Sequence, residues 1–408
     1  MQKKIVALAV AGLSTAAFAQ TNVTIYGVAD VSGQGINQSN VKSGIGSAAG
    51  YNGGNVFQLQ SNSSLLGFKG TEDLGNGLKA MFQIETGVNL TGTSGNGAMA
   101  PGNGTTLGGM RDSFIGVGSK YGTAMGGYIS TPLRSALTSF AVEPGATGSM
   151  TIDKQMGAMR FGYDNVQFAS SVRATAIAYA MPTLYGFDGS IAYTGSNNNG
   201  TNNSTAVTGC SDSSVSACTV GAQSAFSFNL GWTGYGVNIK GAFQQANYNL
   251  SGACAANLGD FTSYLVGAIY TGVQNLKLSA VYARNSLGTN GSSTLTTNGA
   301  GKISNNQAYI GASYRMGNWE PAASAVFASD MDGSSVQQLG SRQWTARVGY
   351  YMSKRTQVYG IVSQVKNNAN GVWAPAGGAL PGGQGGACSA RLGPGPHHLH
   401  MARPRSFQ

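Results

Sequence analysis

Apolar and polar residues take alternate positions along most of this chain, in short runs bounded by Gly, Asn and Ser. In residues 78–85, Leu78, Ala80, Phe82 and Ile84 fall on one side, and Lys79, Gln83 and Glu85 on the other. In residues 342–348, Trp344, Ala346 and Val348 are set against Arg342, Gln343, Thr345 and Arg347. Successive side chains of a strand point to opposite faces, so each run predicts a two-faced strand. Fifteen are predicted, at 23–33, 56–69, 78–88, 111–119, 123–130, 173–182, 187–196, 224–233, 236–248, 261–271, 276–287, 305–316, 319–330, 341–352 and 356–366. Tight connections such as Gly75-Asn76-Gly77 and Gly234-Tyr235 alternate with long ones such as 34–55, 89–110, 131–172 and 197–223. About ten tilted residues cross a bilayer, and membrane barrels alternate short turns with long outer loops. The expected fold is all-β, a transmembrane antiparallel β-barrel with a wet interior.

Composition sharpens this. Only 9% of the residues are charged, and 63 of 408 are Gly. A soluble domain carries about a quarter charged residues, so Gly, Ser, Thr and Asn supply the polarity here. Lys3 and Lys4, the apolar run from Ile5 to Leu13, and Ala17-Phe18-Ala19 read as a signal peptide over residues 1–19. That run is about half the length of a spanning helix. Export without helical spans allows a secreted soluble protein or an outer-membrane barrel, and the uncharged, Gly-rich composition suits the barrel better.

The formal net charge is +10, but no basic run or basic helix suggests nucleic acid. Lys and Arg are scattered singly along strands, where they would line a lumen and favour anions. The candidate pore-lining residues are Lys69, Lys79, Glu85, Arg111, Arg160, Arg173, Arg315 and Arg347. Glu143 and Asp153 fall in the longest connection, residues 131–172, which would narrow the pore if folded inward. Part of it, 156–163, reads as extended. Aromatics near strand ends, among them Tyr26, Phe82, Phe114, Tyr179, Tyr193, Trp232, Tyr270, Tyr282, Trp319, Tyr350 and Tyr351, suggest interfacial girdles.

Other chemistries find little support. No His precedes residue 397, so Ser-His-Asp hydrolysis is excluded. Glu72 and Asp73 are neighbours whose side chains diverge on a strand. No cofactor or metal is expected, and the chain is not read as an enzyme. Cys210 and Cys218 bracket a Ser-rich stretch and could staple a loop; Cys254 leaves other pairings open.

Three segments carry a resemblance. They are Val23-Thr24-Ile25-Tyr26-Gly27-Val28-Ala29-Asp30, the run from Leu66-Gly67-Phe68-Lys69-Gly70-Thr71 to Leu78-Lys79-Ala80, and Arg111-Asp112-Ser113-Phe114-Ile115-Gly116-Val117-Gly118, followed by Tyr121-Gly122-Thr123 and Thr131-Pro132-Leu133. Over roughly residues 1–370 the chain resembles the general diffusion porins of Gram-negative outer membranes, most closely the betaproteobacterial and neisserial type. The resemblance implies a 16-stranded barrel over residues 20–370 and a homotrimer in outer-membrane lipid and lipopolysaccharide. Periplasmic chaperones and the barrel-assembly machinery would deliver it. The third external loop, here 131–172, would bend inward opposite basic wall residues, and ions and small hydrophilic solutes would pass by passive diffusion. Leu65, Gly127-Tyr128 and Ala176-Ile177-Ala178-Tyr179 stand where the family usually has basic residues, which predicts a weak anion preference.

The end of the chain departs from the family. Residues 371–408 show no alternation, and Pro394, Pro396 and Pro404 each remove a ladder donor. The closing strand with its terminal aromatic is therefore expected to be missing or replaced, and the segment to be a disordered tail. Such a change of composition suggests a shifted reading frame, which re-reading the coding DNA for a frame ending in an alternating strand would test. Two alternative readings follow: a barrel acting as an adhesin through its outer loops, and a product that fails to assemble.

Overall fold

The computed structural model describes residues 22–38, 54–62, 64–91, 107–143, 151–156, 158–161, 166–169, 172–195, 224–247, 258–289, 301–334, 337–369 and 399–403. The alternating runs fold as expected into strands. On the first side of the wall are β1 (Asn22–Val28), β2 (Val31–Gln38), β3 (Gly54–Ser61), β4 (Leu65–Gly75), β5 (Leu78–Val88), β6 (Leu107–Met110), β7 (Ser113–Ser119) and β8 (Gly122–Ser130). Two helices follow, α1 (Pro132–Ser139) and α2 (Ile152–Gln155), then the short hairpin of β9 (Ala158–Phe161) and β10 (Val166–Ala169). The wall resumes with β11 (Arg173–Ala180), β12 (Phe187–Thr194), β13 (Ser224–Gly234), β14 (Val237–Asn247), β15 (Leu258–Tyr270) and β16 (Leu276–Thr289). It ends with β17 (Lys302–Tyr314), β18 (Trp319–Ala328), β19 (Ser341–Tyr351), β20 (Gln357–Asn367) and β21 (Leu399–Arg403).

Nineteen strands form one antiparallel sheet. β1 and β2 are halves of one stave, as are β3 and β4, and β6 and β7, which leaves sixteen staves. The breaks fall at Ala29–Asp30, at 62–64 and at Arg111–Asp112, and hydrogen bonds span them. Asn62 N–H donates to the Asp30 carbonyl (2.8 Å), Val88 N–H to that of Ser64 (2.8 Å), and Arg111 N–H to that of Glu85 (3.0 Å). The breaks lie in the first, second and fourth staves, and these bonds give backbone groups beside each break a partner.

The burial pattern inverts that of a soluble protein. On β15, Phe261, Ser263 and Leu265 are buried while Tyr264 and Val266 are exposed; on β19, Thr345 and Arg347 are buried while Trp344 and Val348 are exposed. Most exposed positions along the wall are apolar, and Ser, Asn, Gln and Arg recur among the enclosed ones. Such a surface suits lipid outside and water inside. Arg342 alternates with Trp344 and lies exposed on the same side, because a period of two places positions 342 and 344 together. Tyr26, Phe114 and Tyr351 turn inward instead of joining the outer aromatics, while Tyr185 and Tyr235, in tight turns, are 97% and 95% exposed. Tyr235 and Gly236 both have positive φ, 51° and 76°, as a two-residue hairpin that follows strand twist requires.

A strand does occur in the final segment. β21 pairs with β2 from Val31↔Arg403 to Gly35↔Leu399, and with β20 from Tyr359↔Ala402 to Ile361↔His400. The pairings thus run around the sheet and return to the first stave. The prolines at 396 and 404 bracket this strand without entering it, and five residues are too few for alternation to be visible. The rest of the final segment, residues 1–19 with their expected signal peptide, Cys210, Cys218, Cys254 and Cys388 lie outside the described residues.

Candidate pore constriction

The segment after β8 folds into the barrel. Thr131 caps α1, its hydroxyl accepting from Arg134 N–H at 3.3 Å, and Pro132 sits in the first turn, where its missing N–H costs nothing. Leu133, Ala136 and Leu137 recur at helical spacing and are buried with Phe140, Val142, Ile152 and Met156. They pack against an apolar patch of inner wall, made by Ala242, Leu265, Ile269, Val281, Ala283, Tyr309 and Val326. Phe140 fits because position 267 is Gly: a Cβ there would stand 2.7 Å from the ring.

Wall side chains clamp the segment's backbone. Asn229 Nδ2 donates to the Pro132 carbonyl (2.7 Å), Leu133 N–H to Ser227 Oγ (3.1 Å), and Ser313 Oγ to the Val142 carbonyl (2.8 Å). Gln155 Nε2 donates to Ser324 Oγ at 3.1 Å. Within the segment, Arg134 Nη2 meets Asp153 Oδ2 at 2.8 Å. Glu143 is 4% exposed, and burial raises its carboxyl to about 7.

The charged wall residues fall into three groups. Beside the constriction, Arg111 pairs with Glu85, which also accepts from the Tyr26 hydroxyl at 3.1 Å. Arg173 Nε pairs with Asp112 Oδ2 at 2.8 Å. Lys69 shares the inner face with Gln83 across the ladder, exposed, its Nζ 5.3 Å from the centre of the Tyr26 ring. At the rim of short turns lie Lys79, opposite Asp73, and Arg315, stacked 4.0 Å over the Tyr351 ring. Arg347 is inward but 1% exposed, with Nη2 bonded to Gln357 Oε1 (2.7 Å) and its guanidinium 4.7 Å from the Tyr359 ring. Arg160 lies on β9, its backbone opposite Gln167, and its side chain is outside the described residues.

Sequence reasoning missed α1, although Thr131-Pro132 before Leu133, Ala136 and Leu137 carries the cap, the proline and the spacing. It also missed Asp112, the partner of Arg173, and the cluster of Asp30, Asn62 and Tyr359. Those residues stand alone in sequence and meet only through the ladder.

The sequence model of Gram-negative porins matches residues 6–370. The chain belongs to the Gram-negative porins. It is 30% identical over 215 residues to the major outer membrane protein P.IB of Neisseria gonorrhoeae, a match covering 50% of this porin and 51% of that protein, about half its length. With the major outer membrane protein P.IA of Neisseria meningitidis serogroup C, identity is 27% over 419 residues, covering 90% of this porin and 95% of that one. In fold the porin is similar to the anion-selective porin from Comamonas acidovorans (TM-score 0.66, 19% identity, 95% of this chain and 100% of that one). It is also similar to OmpF of Salmonella typhi (TM-score 0.57, 17% identity, 95% and 98%). The porin is an outer-membrane protein.

Proposed function

We propose that this porin forms a water-filled channel for passive diffusion of ions and small hydrophilic solutes, with a weak lean toward anions. The observation that carries the proposal is the clamping of residues 131–143 and 151–156 against the inner wall of the sheet that also carries Lys69 and the Arg111–Glu85 and Arg173–Asp112 pairs. A polar lumen narrowed by a fixed loop selects by width and by lining charge.

The pairing pattern supports a weak preference. Arg111, Arg173, Arg134 and Lys240 each face a carboxylate, from Glu85, Asp112, Asp153 and Asp188. The anion-attracting role then falls mainly on Lys69, with Lys79 and Arg315 at the rim. Arg160 and Arg347 remain secondary candidates, and Glu143 and Asp153 the acidic members of the loop. A homotrimer surrounded by outer-membrane lipid and lipopolysaccharide, delivered by periplasmic chaperones and the barrel-assembly machinery, is part of the same reading.

Planar-bilayer recording of the purified full chain tests it. Stable conductance steps and a reversal potential of anion sign in a KCl gradient are expected, with Lys69→Gln moving that potential toward zero. A folded barrel that inserts and conducts nothing would overturn the channel and favour an outer-loop adhesin. No folded protein at all would favour a product that does not assemble.

A further inference from the structure

The inner wall is not polar throughout. Across the ladders of β4, β5, β7, β8 and β11, one inward row holds Lys69, Gln83, Phe114, Gly127 and Ala176. The next row toward the short turns holds Thr71, Met81, Gly116, Met125, Ala178 and, on β12, Ala192. From β5 to β12 these two rows carry no charge. Phe114, Met125 and Ala178 pack beside Ile129, Ala176 and Ala192 yet stay only half-buried, as does Met81. The apolar side chains of residues 131–143 and 151–156 seat elsewhere, on β14 to β18. Gly116 stands between Met81 and Met125 without a side chain, so the row dips there. A glycine inside a strand often marks a close approach by a ligand or another backbone.

A cation stands at one end of this strip. Lys69 is exposed and, among the described residues, has no ion pair. It lies two ladder steps from Phe114, about 10 Å at the usual strand spacing. The neighbouring acids are engaged: Glu85 by Arg111, Asp112 by Arg173, and Asp73 faces Lys79 across the ladder. The flexible four-carbon stem of lysine lets its ammonium lean toward an anion lying over Gln83. Methionine is flexible and polarizable, and it adapts to varied apolar shapes and to aromatic rings.

Resting on the channel reading above, we infer that Lys69 and the strip of Phe114, Met81 and Met125 form a lumen site for organic monoanions with an apolar body, such as aromatic carboxylates. The carboxylate meets the Lys69 ammonium, and the apolar body lies on the strip. Neither half suffices alone. An exposed cation holds an anion weakly, because water and salt screen it, and a neutral apolar solute gains nothing from Lys69. Covering about 50 Å² of a ring at about 25 cal/mol per Å² corresponds to roughly an eightfold preference for an aromatic acid over a methyl-sized one of the same charge. A preference of that size makes the solute linger without trapping it, as passage through a pore requires.

The test is planar-bilayer recording of the full chain in KCl at neutral pH, with sodium acetate or sodium phenylacetate added and benzyl alcohol as the neutral control. Phenylacetate is expected to depress the chloride current at about an eightfold lower concentration than acetate, and benzyl alcohol far less than phenylacetate. Met81→Gln combined with Met125→Gln keeps side-chain length and removes apolar surface, so the two acids should approach equal potency. Met125→Gln alone serves if the pair does not assemble. Lys69→Gln should weaken both acids alike and leave their ratio. Each variant is referred to its own current in KCl. Equal potency of the two acids on wild type, benzyl alcohol as potent as phenylacetate, an undiminished ratio in the methionine variants, or a full response in Lys69→Gln would overturn the site. Conduction of KCl without discrimination defeats this inference alone, whereas absence of conductance defeats the channel reading itself.

Discussion

The two sides of the barrel wall are built differently. From β13 to β17 the ladders are long, with one irregularity between Leu258 and Phe261 at the end of β15: eleven residue pairs join β13 to β14 and thirteen join β16 to β17. Around the first and last staves the ladders are short or interrupted, with five pairs between β2 and β21 and three between β20 and β21. There, side chains supplement the backbone. The Tyr359 hydroxyl donates to Asp30 Oδ1 at 2.8 Å, Asn62 Nδ2 to Ser32 Oγ at 2.7 Å, and Asp30 N–H to Ser64 Oγ at 2.8 Å. Every enclosed backbone group must find a partner. A wall whose ladder supplies them all can spend its inner side chains on apolar contact, and this is the side on which the constriction segment sits. A wall with gaps needs its inner side chains for polar repair.

The largest expected effect probes the first side. Phe140→Ala removes a fully buried ring from the loop–wall contact and should weaken loop seating by about 3–5 kcal/mol. Noisier conductance and faster proteolysis within 131–156 are expected, with the barrel's heat-resistant gel band unchanged, because the ladders do not involve this ring. A parallel loss of that band would mean that loop and wall are one cooperative unit. Next comes the seam. Tyr359→Phe removes the 2.8 Å bond to Asp30 and leaves its carboxyl only the longer 3.3 Å bond from Asn62 Nδ2, which should cost about 1–3 kcal/mol, read as a lower temperature at which the folded band collapses. The matching change on the continuous wall, Ser263→Ala, deletes a 2.7 Å bond to Asn285 and should cost no more than about 1 kcal/mol. Equal shifts would erase the distinction between the two sides.

The same distinction explains what was legible in the sequence. Strands such as 276–287 and 341–352 were readable because their faces differ over a full span, and a period of two survives small errors of boundary. The three breaks were not, since Asp30, Asn62 and Ser64 look like ordinary turn residues until the register brings them together. The final strand was hidden by neighbouring prolines that mark its ends. Of the candidate lumen residues, Lys69, Lys79 and Glu85 follow from alternation alone. The pairing of Arg111 and Arg173 does not, because Glu85 and Asp112 reach them across the ladder or around a break. Arg347 carried the right parity, but its enclosure by Gln357 and Tyr359 depends on the next stave.

Smaller effects sharpen the comparison. Arg111→Gln frees the Glu85 carboxylate beside the constriction. A screened charge pair is worth roughly 0.5–1 kcal/mol, or about two- to fivefold in ion partition. The chloride-to-potassium permeability ratio should fall by that factor, and further in the double variant with Arg173→Gln; an unchanged reversal potential would remove Arg111 from the selectivity region.

The smallest effect belongs to the rim of short turns, where both sides of the wall meet the same solvent. Tyr235 occupies a left-handed conformation that costs a non-glycine residue of order 1 kcal/mol, and Asn tolerates it better. Against that gain, Tyr235→Asn loses a ring 6.1 Å from that of Trp232, a contact of about 0.5–1.5 kcal/mol. The two terms nearly cancel, so the folded band should collapse within a few degrees of wild type. This turn joins β13 to β14, whose ladder is complete on both edges, and the ladder already fixes the turn's ends. A large loss of stability from Tyr235→Asn would mean that the continuous wall also relies on side chains, here at its membrane boundary.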